Sequence, residues 1–275
     1  MESTEQPNSR TTQEPGFSYF EIQSFWGVTK HFGGLPATRE LANLCHIDQH
    51  KHVLEVGCGV GISTCYLAGK VGCRVTAVDL SDKMIEWSLR RVKRRGLEDR
   101  VVFRSGDAQN LPFEDDLFDA VIDESVTAFT QDKQRTLNEY TRVTKPGGFV
   151  GLNEGTWVKG SPPADLMTFM DRMMANARFL TADEWLNLFK NSGLQDLYQQ
   201  TFKMTMLRQA INERKGMELV DYLERLRAFR SFFSLLFTSP AFRKYAKELT
   251  PSPKIITNMF SYLGYGYYVG KKAVK

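Results

Sequence analysis

Residues 53–64 of the chain read Val53-Leu54-Glu55-Val56-Gly57-Cys58-Gly59-Val60-Gly61-Ile62-Ser63-Thr64. The first four residues have the apolar character of a buried parallel strand, and the last three read as the first turn of a helix. The glycines between them predict a tight turn whose backbone can approach a ligand where any Cβ atom would collide. A strand, a glycine turn and a helix in this order predict a site for a nucleoside cofactor.

The next apolar run, residues 74–78, ends at Asp79. In a right-handed strand-helix-strand unit, the end of the second strand lies beside the glycine turn. The Asp79 carboxylate is therefore placed to accept hydrogen bonds from both hydroxyls of a ribose. The glycine spacing is G-x-G-x-G, preceded by Glu55, whereas a dinucleotide pyrophosphate needs the spacing G-x-G-x-x-G. This difference counts against a dinucleotide.

Four segments, in order along residues 50–155, resemble the motifs of the class I methyltransferases that use S-adenosyl-L-methionine (SAM). They are the glycine turn, residues 105–113 (SGDAQNLPF), residues 118–124 (FDAVIDE) and residues 143–150 (VTKPGGFV). Within the class, the sequences of these motifs are most similar to the type 11 group, which includes quinone, sterol, tocopherol and sarcosine methyltransferases. The ordered series makes the resemblance specific.

The resemblance implies an α/β fold with a Rossmann-like, seven-stranded, mostly parallel sheet and helices on both faces. The last strand, residues 265–270, is expected to insert antiparallel between the fifth and sixth strands. About sixty residues separate the last two strands, where the family has a short hairpin, and their periodicity predicts a helical insertion. The chain is thus divided into a disordered tail (1–16), a SAM-binding core (17–205), a helical lid or insertion (206–262), and the last strand with its tail (263–275).

The resemblance also implies which residues bind SAM. Glu55 and the turn would hold the methionine part, Asp79 the ribose, and Leu80 one face of the adenine. Asp107 and Ala108 would contact the amino edge of the adenine. The full set of expected cofactor contacts is Glu55, Gly57, Cys58, Gly59, Gly61, Asp79, Leu80, Asp107, Ala108 and Glu124.

Polar side chains that end the fourth and fifth strands are candidates for acceptor binding or proton removal. Asp123 and Glu124 end the fourth strand, and Asn153 and Glu154 end the fifth. Since side chains alternate along a strand, one member of each pair should face the ligand cleft. We expect these to be Glu124 and Glu154. The alternative is that such groups cap helices or bind water at the sheet edge.

Three aromatic residues and one histidine complete the expected acceptor site. Tyr19 and Trp26 belong to an aromatic segment that, by resemblance, packs over the cleft, and Trp157 follows the fifth strand. The alternative for the N-terminal aromatics is that they only hold their segment to the core. His31, beside a double glycine, is a candidate general base, and the alternative is a histidine that anchors a loop.

The composition limits the possible binding partners of the protein and its possible cellular compartment. The 275 residues carry a net charge of +4 and no long basic run, which argues against nucleic acid as a partner. No apolar run is long enough to span a bilayer, and the N-terminus lacks a signal pattern. The four cysteines form no C-x-x-C pair, and His46, His50 and His52 have no acidic partner arranged nearby. We therefore expect reduced thiols, no metal and a cytoplasmic protein.

Two charged features allow more than one interpretation. The insertion is expected to lie over the cleft as a lid, to dock on the sheet edge or to form a homodimer contact. Its aromatic residues alternate with arginine and lysine, which allows a peripheral membrane contact, and the alternative is a solvated basic face opposite a buried apolar one. The helix that begins after Ser81 ends in a basic cluster that includes Arg91 and Arg95. Cations suit the last turn of a helix, so the cluster is predicted to be a solvated face rather than a phosphate site.

The leading hypothesis is a SAM-dependent methyltransferase that acts on a small, partly apolar molecule by in-line displacement. The aromatic insertion favours a quinone-, lipid- or polyketide-like acceptor over a small zwitterion. A nicotinamide-dependent oxidoreductase shares the fold and is the second hypothesis. A SAM-binding partner protein without activity is the third.

Overall fold

A computed structural model describes residues 20, 23, 31–174, 177–205, 211–212 and 219–274 of the chain. Within these ranges the strands are β1 (His52–Val56), β2 (Arg74–Asp79), β3 (Val101–Ser105), β4 (Phe118–Glu124), β5 (Thr144–Trp157), β6 (Leu180–Thr181), β7 (Leu194–Lys203) and β8 (Leu263–Lys272). The helices are α1 (Gly34–Leu44), α2 (Ile62–Tyr66), α3 (Asp82–Arg94), α4 (Lys133–Val143), α5 (Ala164–Met173), α6 (Ala182–Asn191), α7 (Leu219–Thr238), α8 (Pro240–Glu248) and α9 (Pro253–Tyr262).

The strands form one sheet in the order β3-β2-β1-β4-β5-β8-β7, and the short β6 pairs with the end of β5. Strands β1 to β5 run parallel to one another, whereas β8 is antiparallel to both β5 and β7. The predicted Rossmann-like sheet is therefore confirmed, including the antiparallel strand inserted near one edge. The two-residue β6 is an addition that the sequence did not indicate.

The central strand β1 is buried on both faces, as a parallel sheet covered by helices requires. Val53 and Leu54 are both fully buried, yet they belong to different apolar clusters. The cluster that contains Val53 includes Leu41 of α1, and the cluster that contains Leu54 includes Tyr140 of α4 and Trp185 of α6. The alternation along one strand thus divides the core into two layers.

The carboxyl ends of β1, β2, β4 and β5 meet at one edge of the sheet, because these strands run parallel. Residues that follow the strands are collected there, which is where ligands bind in open α/β sheets. Strand β5 runs to Trp157 rather than ending at Glu154 as predicted. The added residues are paired with β8, since Thr156 lies opposite Gly264 and Trp157 opposite Leu263.

Between β7 and β8 the chain forms α7, α8 and α9. Ser239 caps the start of α8, where its hydroxyl accepts a hydrogen bond of 3.1 Å from the Phe242 N–H. Helix α7 exposes several large apolar side chains, among them Leu226 (60%), Phe229 (63%) and Phe237 (81%). No helix in the described part of the chain combines the length and apolar character needed to cross a bilayer.

The predicted disordered tail, residues 1–16, lies outside the described residues. So does most of the aromatic segment that follows it, including Tyr19 and Trp26. Phe20 is described, and its ring lies edge-on to Phe129 with 5.0 Å between the ring centroids. This contact places Phe20 at the 3-10 turn Thr127–Phe129, close to the carboxyl end of β4.

Candidate active site

The first residue of the turn between β1 and α2 is hydrogen-bonded to strand β2. The Gly57 N–H donates a hydrogen bond of 2.7 Å to the carbonyl of Val78. Gly57 has a φ of 72°, in the left-handed region that favours glycine. A Cβ atom at this position would also overlap the side chain of Val126, which follows β4. Glycine is therefore required at position 57 for both conformation and space.

The rest of the turn lies against helix α3. Gly61 has a φ of 76°, and a Cβ atom there would meet Ser88. The Ser88 hydroxyl donates a hydrogen bond of 2.7 Å to the carbonyl of Gly59. Cys58 is buried, with its Sγ atom 3.8 Å from the Ser88 Oγ atom. The Cys58 thiol is therefore packed against helix α3.

Glu55 lies beneath the turn and is 3% exposed. One carboxylate oxygen accepts a hydrogen bond from the Ser63 hydroxyl, and the other accepts one of 2.5 Å from the Thr64 hydroxyl. Burial raises the pKa of Glu55 to about 7 despite these donors, and the negative charges of Glu124 and Asp79 add to the shift. Both oxygens are engaged within the protein, so Glu55 shapes the turn and the start of α2.

Asp79 lies where the sequence places it, at the end of β2 beside the turn. Its Oδ2 atom accepts a hydrogen bond of 2.8 Å from the Gly59 N–H, and its Oδ1 atom accepts one of 2.9 Å from the Ser81 N–H. Burial raises the pKa of Asp79, and these N–H donors oppose the shift. The next residue, Leu80, is 76% exposed, so an apolar surface lies beside the carboxylate.

The turn after β3 brings Asp107 to the same edge. The Gly106 N–H donates a hydrogen bond of 3.2 Å to the Asp79 carbonyl, which fixes this turn beside the end of β2. The Asp107 carboxylate accepts a hydrogen bond of 2.9 Å from the Gln109 N–H and remains exposed. Ala108 is 7% exposed.

A cluster around Glu124 joins β4, β5 and α1. The Thr38 hydroxyl donates a hydrogen bond of 2.8 Å to Oε2 of Glu124. The His31 Nε2 atom lies 3.6 Å from Oε1 of Glu124 and 3.1 Å from Oγ1 of Thr38. The Asn153 Nδ2 atom is 3.4 Å from Oε1 and donates a hydrogen bond of 2.7 Å to the carbonyl of Phe32. The structure thus brings together the predicted His31 and Glu124.

The expectation that Glu124 and Glu154 face the cleft together is wrong. Glu124 lies opposite Asn153 in the β4–β5 register, so these two side chains share a face and Glu154 points to the other face. Glu154 is fully buried, and its Oε1 atom accepts hydrogen bonds of 2.9 and 3.1 Å from the N–H groups of Val126 and Ala128. It stabilises the turn after β4.

Asp123 shares that buried face with Glu154. The Val126 N–H donates to both carboxylates, and Asp123 also accepts hydrogen bonds from Thr127 and from the Tyr140 hydroxyl. Burial raises the pKa of Asp123 to about 6 and raises that of Glu154 well above its ordinary value. The Oε2 atom of Glu154 has no hydrogen-bond partner among the described residues. The two carboxyl groups therefore form a buried pair that favours a bound proton.

Trp157 is 8% exposed and packs edge-on against Phe179, with 5.8 Å between the ring centroids. It belongs to an apolar cluster against which Phe32, Met167 and Met259 also pack. The wall of the carboxyl edge is therefore apolar next to the Glu124 cluster. Tyr19 and Trp26, the other predicted acceptor contacts, lie outside the described residues.

A pocket of about 560 Å³ opens on the same face of the sheet as Glu124. Its walls include the rings of Phe202, Tyr265 and Tyr267. Tyr267 lies opposite Asn153 in the β5–β8 register, so the pocket adjoins the Glu124 cluster. Polar side chains share the lining, namely Glu40, Gln200, Thr205 and Asn212. A cavity with both aromatic and polar walls is typical of a small-molecule site.

Sequence reasoning missed Thr38 and undervalued Asn153. Thr38 is fully buried in α1, among the apolar residues Leu41, Ala42 and Cys45. A hydroxyl on an otherwise apolar helix face was the available signal, because a buried hydroxyl needs a partner. The identity of that partner, Glu124, depends on how α1 docks on the sheet, which the sequence does not specify.

The geometry of this edge fits SAM. Gly57 and Gly61 leave no room for a Cβ atom, because Val126 and Ser88 pack against them, so glycine is needed for this turn to form. A carboxylate for a ribose diol (Asp79), an exposed apolar side chain for a flat ring (Leu80) and a second carboxylate for an exocyclic amine (Asp107) follow in order along one edge. The two carboxylates and the apolar side chain between them match the groups that a nucleoside presents.

Comparisons with known proteins show the family of the chain. The type 11 family described as "Methyltransferase domain" matches residues 54–152. The chain is 30% identical over 190 residues to the uncharacterized methyltransferase YodH of Bacillus subtilis, covering 69% of the chain and 78% of YodH.

Two solved structures resemble the fold. The [4+2]-cyclase SpnF has a TM-score of 0.72 and 19% identity, with 93% of each chain covered. Phosphoethanolamine N-methyltransferase 2 of Haemonchus contortus, in complex with phosphomonomethylethanolamine and S-adenosylhomocysteine, has a TM-score of 0.69 and 18% identity. The match covers 92% of the chain and 57% of that protein. Together with the glycine turn, Asp79 and the order of the strands, the family match identifies the chain as a member of the class I SAM-dependent methyltransferases, in the type 11 group.

Proposed function

We propose that this enzyme transfers a methyl group from SAM to a small, partly apolar molecule held beside Glu124. The observation that carries the proposal is that the Glu124 cluster, the apolar wall and the aromatic pocket adjoin the edge that holds Asp79 and the glycine turn. A quinone-, lipid- or polyketide-like acceptor suits walls of this character. A small zwitterion would leave much of the apolar surface uncovered.

Nine of the ten predicted cofactor contacts keep a role at the cofactor, and Glu124 is assigned to the methyl acceptor instead. The backbone of Gly57, Cys58, Gly59 and Gly61 would hold the methionine part, with Glu55 supporting the turn from below. Asp79 would accept hydrogen bonds from the ribose hydroxyls, Leu80 would cover one face of the adenine, and Asp107 with Ala108 would meet its amino edge. SAM supplies an electrophilic methyl group when bound, so alignment and exclusion of water are the main tasks of the protein.

We propose that His31 takes the proton from a substrate that loses one when it is methylated. Its side chain is 16% exposed and Glu124 is 6% exposed, so the imidazole is the more accessible group of the cluster. The Glu124 carboxylate and the Thr38 hydroxyl orient the ring, and the carboxylate stabilises an imidazolium. Glu154 takes no part in this step, because it is buried on the other face of the sheet.

The exposed apolar side chains of α7 support a second contact surface. Basic residues accompany them, including Arg227 and Arg230 on the same helix. We propose contact with an anionic membrane surface, and a homodimer through α7 as the alternative. Sedimentation with anionic vesicles at low salt tests the first, and a monomer that does not bind would contradict both. The four buried cysteine thiols support a cytoplasmic location.

Calorimetric titration with S-adenosylhomocysteine, compared with NADH and with an Asp79→Ala variant, tests the proposal. We expect the wild type to bind S-adenosylhomocysteine and not NADH. The variant should bind at least tenfold more weakly, because a hydrogen bond to a charged group contributes about 1.5–3 kcal/mol. Binding of NADH alone would favour the oxidoreductase hypothesis.

Methyl transfer from labelled SAM to a panel of quinones, phenols, lipids and amines then tests the acceptor class. Transfer to quinones or phenols is the expected outcome. Binding of SAM without transfer to any of them would favour a different activity on the same fold, as the cyclase among its structural neighbours illustrates.

A further inference from the structure

Helix α3 holds two consecutive carbonyl groups of the glycine turn. Ser88 donates to the Gly59 carbonyl at 2.7 Å, and the Arg91 Nε atom donates to the Val60 carbonyl at 2.8 Å. Ser88 is fully buried and Arg91 is 4% exposed. Arg91 was predicted to belong to a solvated basic face, and this is wrong for Arg91. Its guanidinium instead fixes a peptide group of the cofactor turn.

The same guanidinium reaches into the insertion. Arg91 Nη1 donates a hydrogen bond to Oδ1 of Asp221, in the first turn of α7. Asp221 is 6% exposed, and Arg95 Nη2 lies 3.7 Å from its Oδ2 atom. Removing one partner of such a buried pair leaves an uncompensated charge, which is strongly destabilising. A single arginine therefore contacts both the cofactor turn and a helix 130 residues further along the chain.

At the start of α7 the described apolar side chains are exposed. The described neighbours Leu219, Tyr222 and Leu223 are 74%, 42% and 50% exposed. Of the described side chains here, Asp221 is the most buried, and its ion pairs with Arg91 and Arg95 attach this turn to α3. A change in the position of Arg91 should therefore change how firmly α7 is attached.

We propose that Asp221 is a positioning residue for the cofactor site, acting through Arg91 on the Val60 carbonyl. Docking of α7 and binding of the cofactor are then coupled, because both depend on the same guanidinium. Such coupling is reciprocal, so the cofactor should stabilise the attachment of α7 as much as α7 strengthens cofactor binding. The insertion thereby acts on cofactor affinity through a contact outside the acceptor pocket.

The test is the affinity for S-adenosylhomocysteine of an Asp221→Asn variant, measured by calorimetry. We expect it to weaken by roughly 5- to 150-fold, the usual range of such coupling. Leu223→Ala is the matched control, since it alters an exposed residue in the same turn and should leave the affinity unchanged. Asp221→Glu should restore part of the affinity. An Arg91→Met/Asp221→Asn double variant should bind no more weakly than Arg91→Met alone.

Hydrogen exchange of α7 provides a readout that does not depend on the variants folding well. In the wild type, S-adenosylhomocysteine should slow exchange in the first turns of α7, and in Asp221→Asn it should not. The inference is overturned if the cofactor product leaves exchange in wild-type α7 unchanged. It is also overturned if a folded Asp221→Asn variant binds within twofold of the wild type. The inference rests on the cofactor site above, whose failure would instead appear as no binding to the wild type.

Discussion

The Thr38 hydroxyl donates a hydrogen bond of 2.8 Å to the Glu124 carboxylate, although 86 residues separate the two. The same hydroxyl oxygen lies 3.1 Å from the His31 Nε2 atom. One buried side chain of α1 thus sets the distance and orientation of the two groups proposed to act on the acceptor.

Replacing Thr38 by valine should lower the turnover of methyl transfer with little change in cofactor affinity. Valine keeps the shape but removes the hydroxyl, so Glu124 loses a charge-assisted hydrogen bond and His31 loses its orientation. We expect a roughly tenfold lower kcat with the best acceptor found in the screen. Thr168→Val, which changes an exposed threonine of α5, is the control, and Thr38→Ser should recover most of the rate. An unchanged kcat in Thr38→Val would contradict the role of this contact.

Gly57→Ala should destabilise the protein and weaken cofactor binding together. The new Cβ atom would overlap Val126, and the backbone has a φ of 72°. Gly96→Ala is the matched control, because Gly96 has a φ of 61° and no atom within 4 Å of the added Cβ. The control should lose about 1–2 kcal/mol from backbone strain, and Gly57→Ala should lose more. Urea unfolding measures both, and equal losses would show that the Val126 contact is unimportant.

Replacing Leu80 by alanine should weaken binding of S-adenosylhomocysteine without affecting stability. Leu80 is 76% exposed, so its truncation removes little packing from the folded protein. If it covers the adenine, binding loses apolar contact worth about 1 kcal/mol, or roughly fivefold in affinity. Leu89→Ala, at an exposed position of α3, should change neither quantity. Equal affinity of Leu80→Ala and wild type by calorimetry would remove Leu80 from the site.

The buried Asp123–Glu154 pair should make the protein less stable as the pH rises. Burial raises the pKa of Asp123 to about 6 and that of Glu154 well above its ordinary value. A carboxyl group with a higher pKa in the folded than in the unfolded chain binds more protons when folded. Its stabilising effect is complete below the unfolded pKa, near 4, and is lost as the pH rises through the folded pKa.

Urea unfolding between pH 4 and pH 8 measures this dependence. Replacing Glu154 by glutamine should reduce the loss of unfolding free energy over this range by roughly 1–3 kcal/mol. Glu86→Gln, which changes a surface carboxylate, should keep the wild-type dependence. A parallel pH profile for Glu154→Gln would contradict the buried pair.

The sequence predicted the sheet well, because its signals are local. Alternating helical and strand patterns, the glycine turn and Asp79 each depend on a few adjacent residues. The insertion of β8 beside β5 came from the family resemblance and is confirmed by the register. The length of β5 was not predicted, because its last residues are strand only through pairing with β8.

The site was predicted less completely, because side-chain contacts across the fold decide it. Glu124 and Glu154 look equivalent in the sequence, and only the register of β4 with β5 separates them onto opposite faces. Arg91 looks like its basic neighbours, yet a partner 130 residues away buries it. The partner of Thr38 depends on how α1 docks on the sheet. In each case the deciding contact joins segments whose relative positions are set by packing.

The position of β8 has a consequence for how the protein is made. The proposed cofactor contacts precede residue 125, but the strand that joins β5 to β7 begins at Leu263. A nascent chain can therefore contain the entire glycine turn while the edge of β5 is still unpaired, and such edges invite association with other chains. Slow synthesis or truncation upstream of β8 should thus cause aggregation during biosynthesis, even in chains whose cofactor motifs are intact.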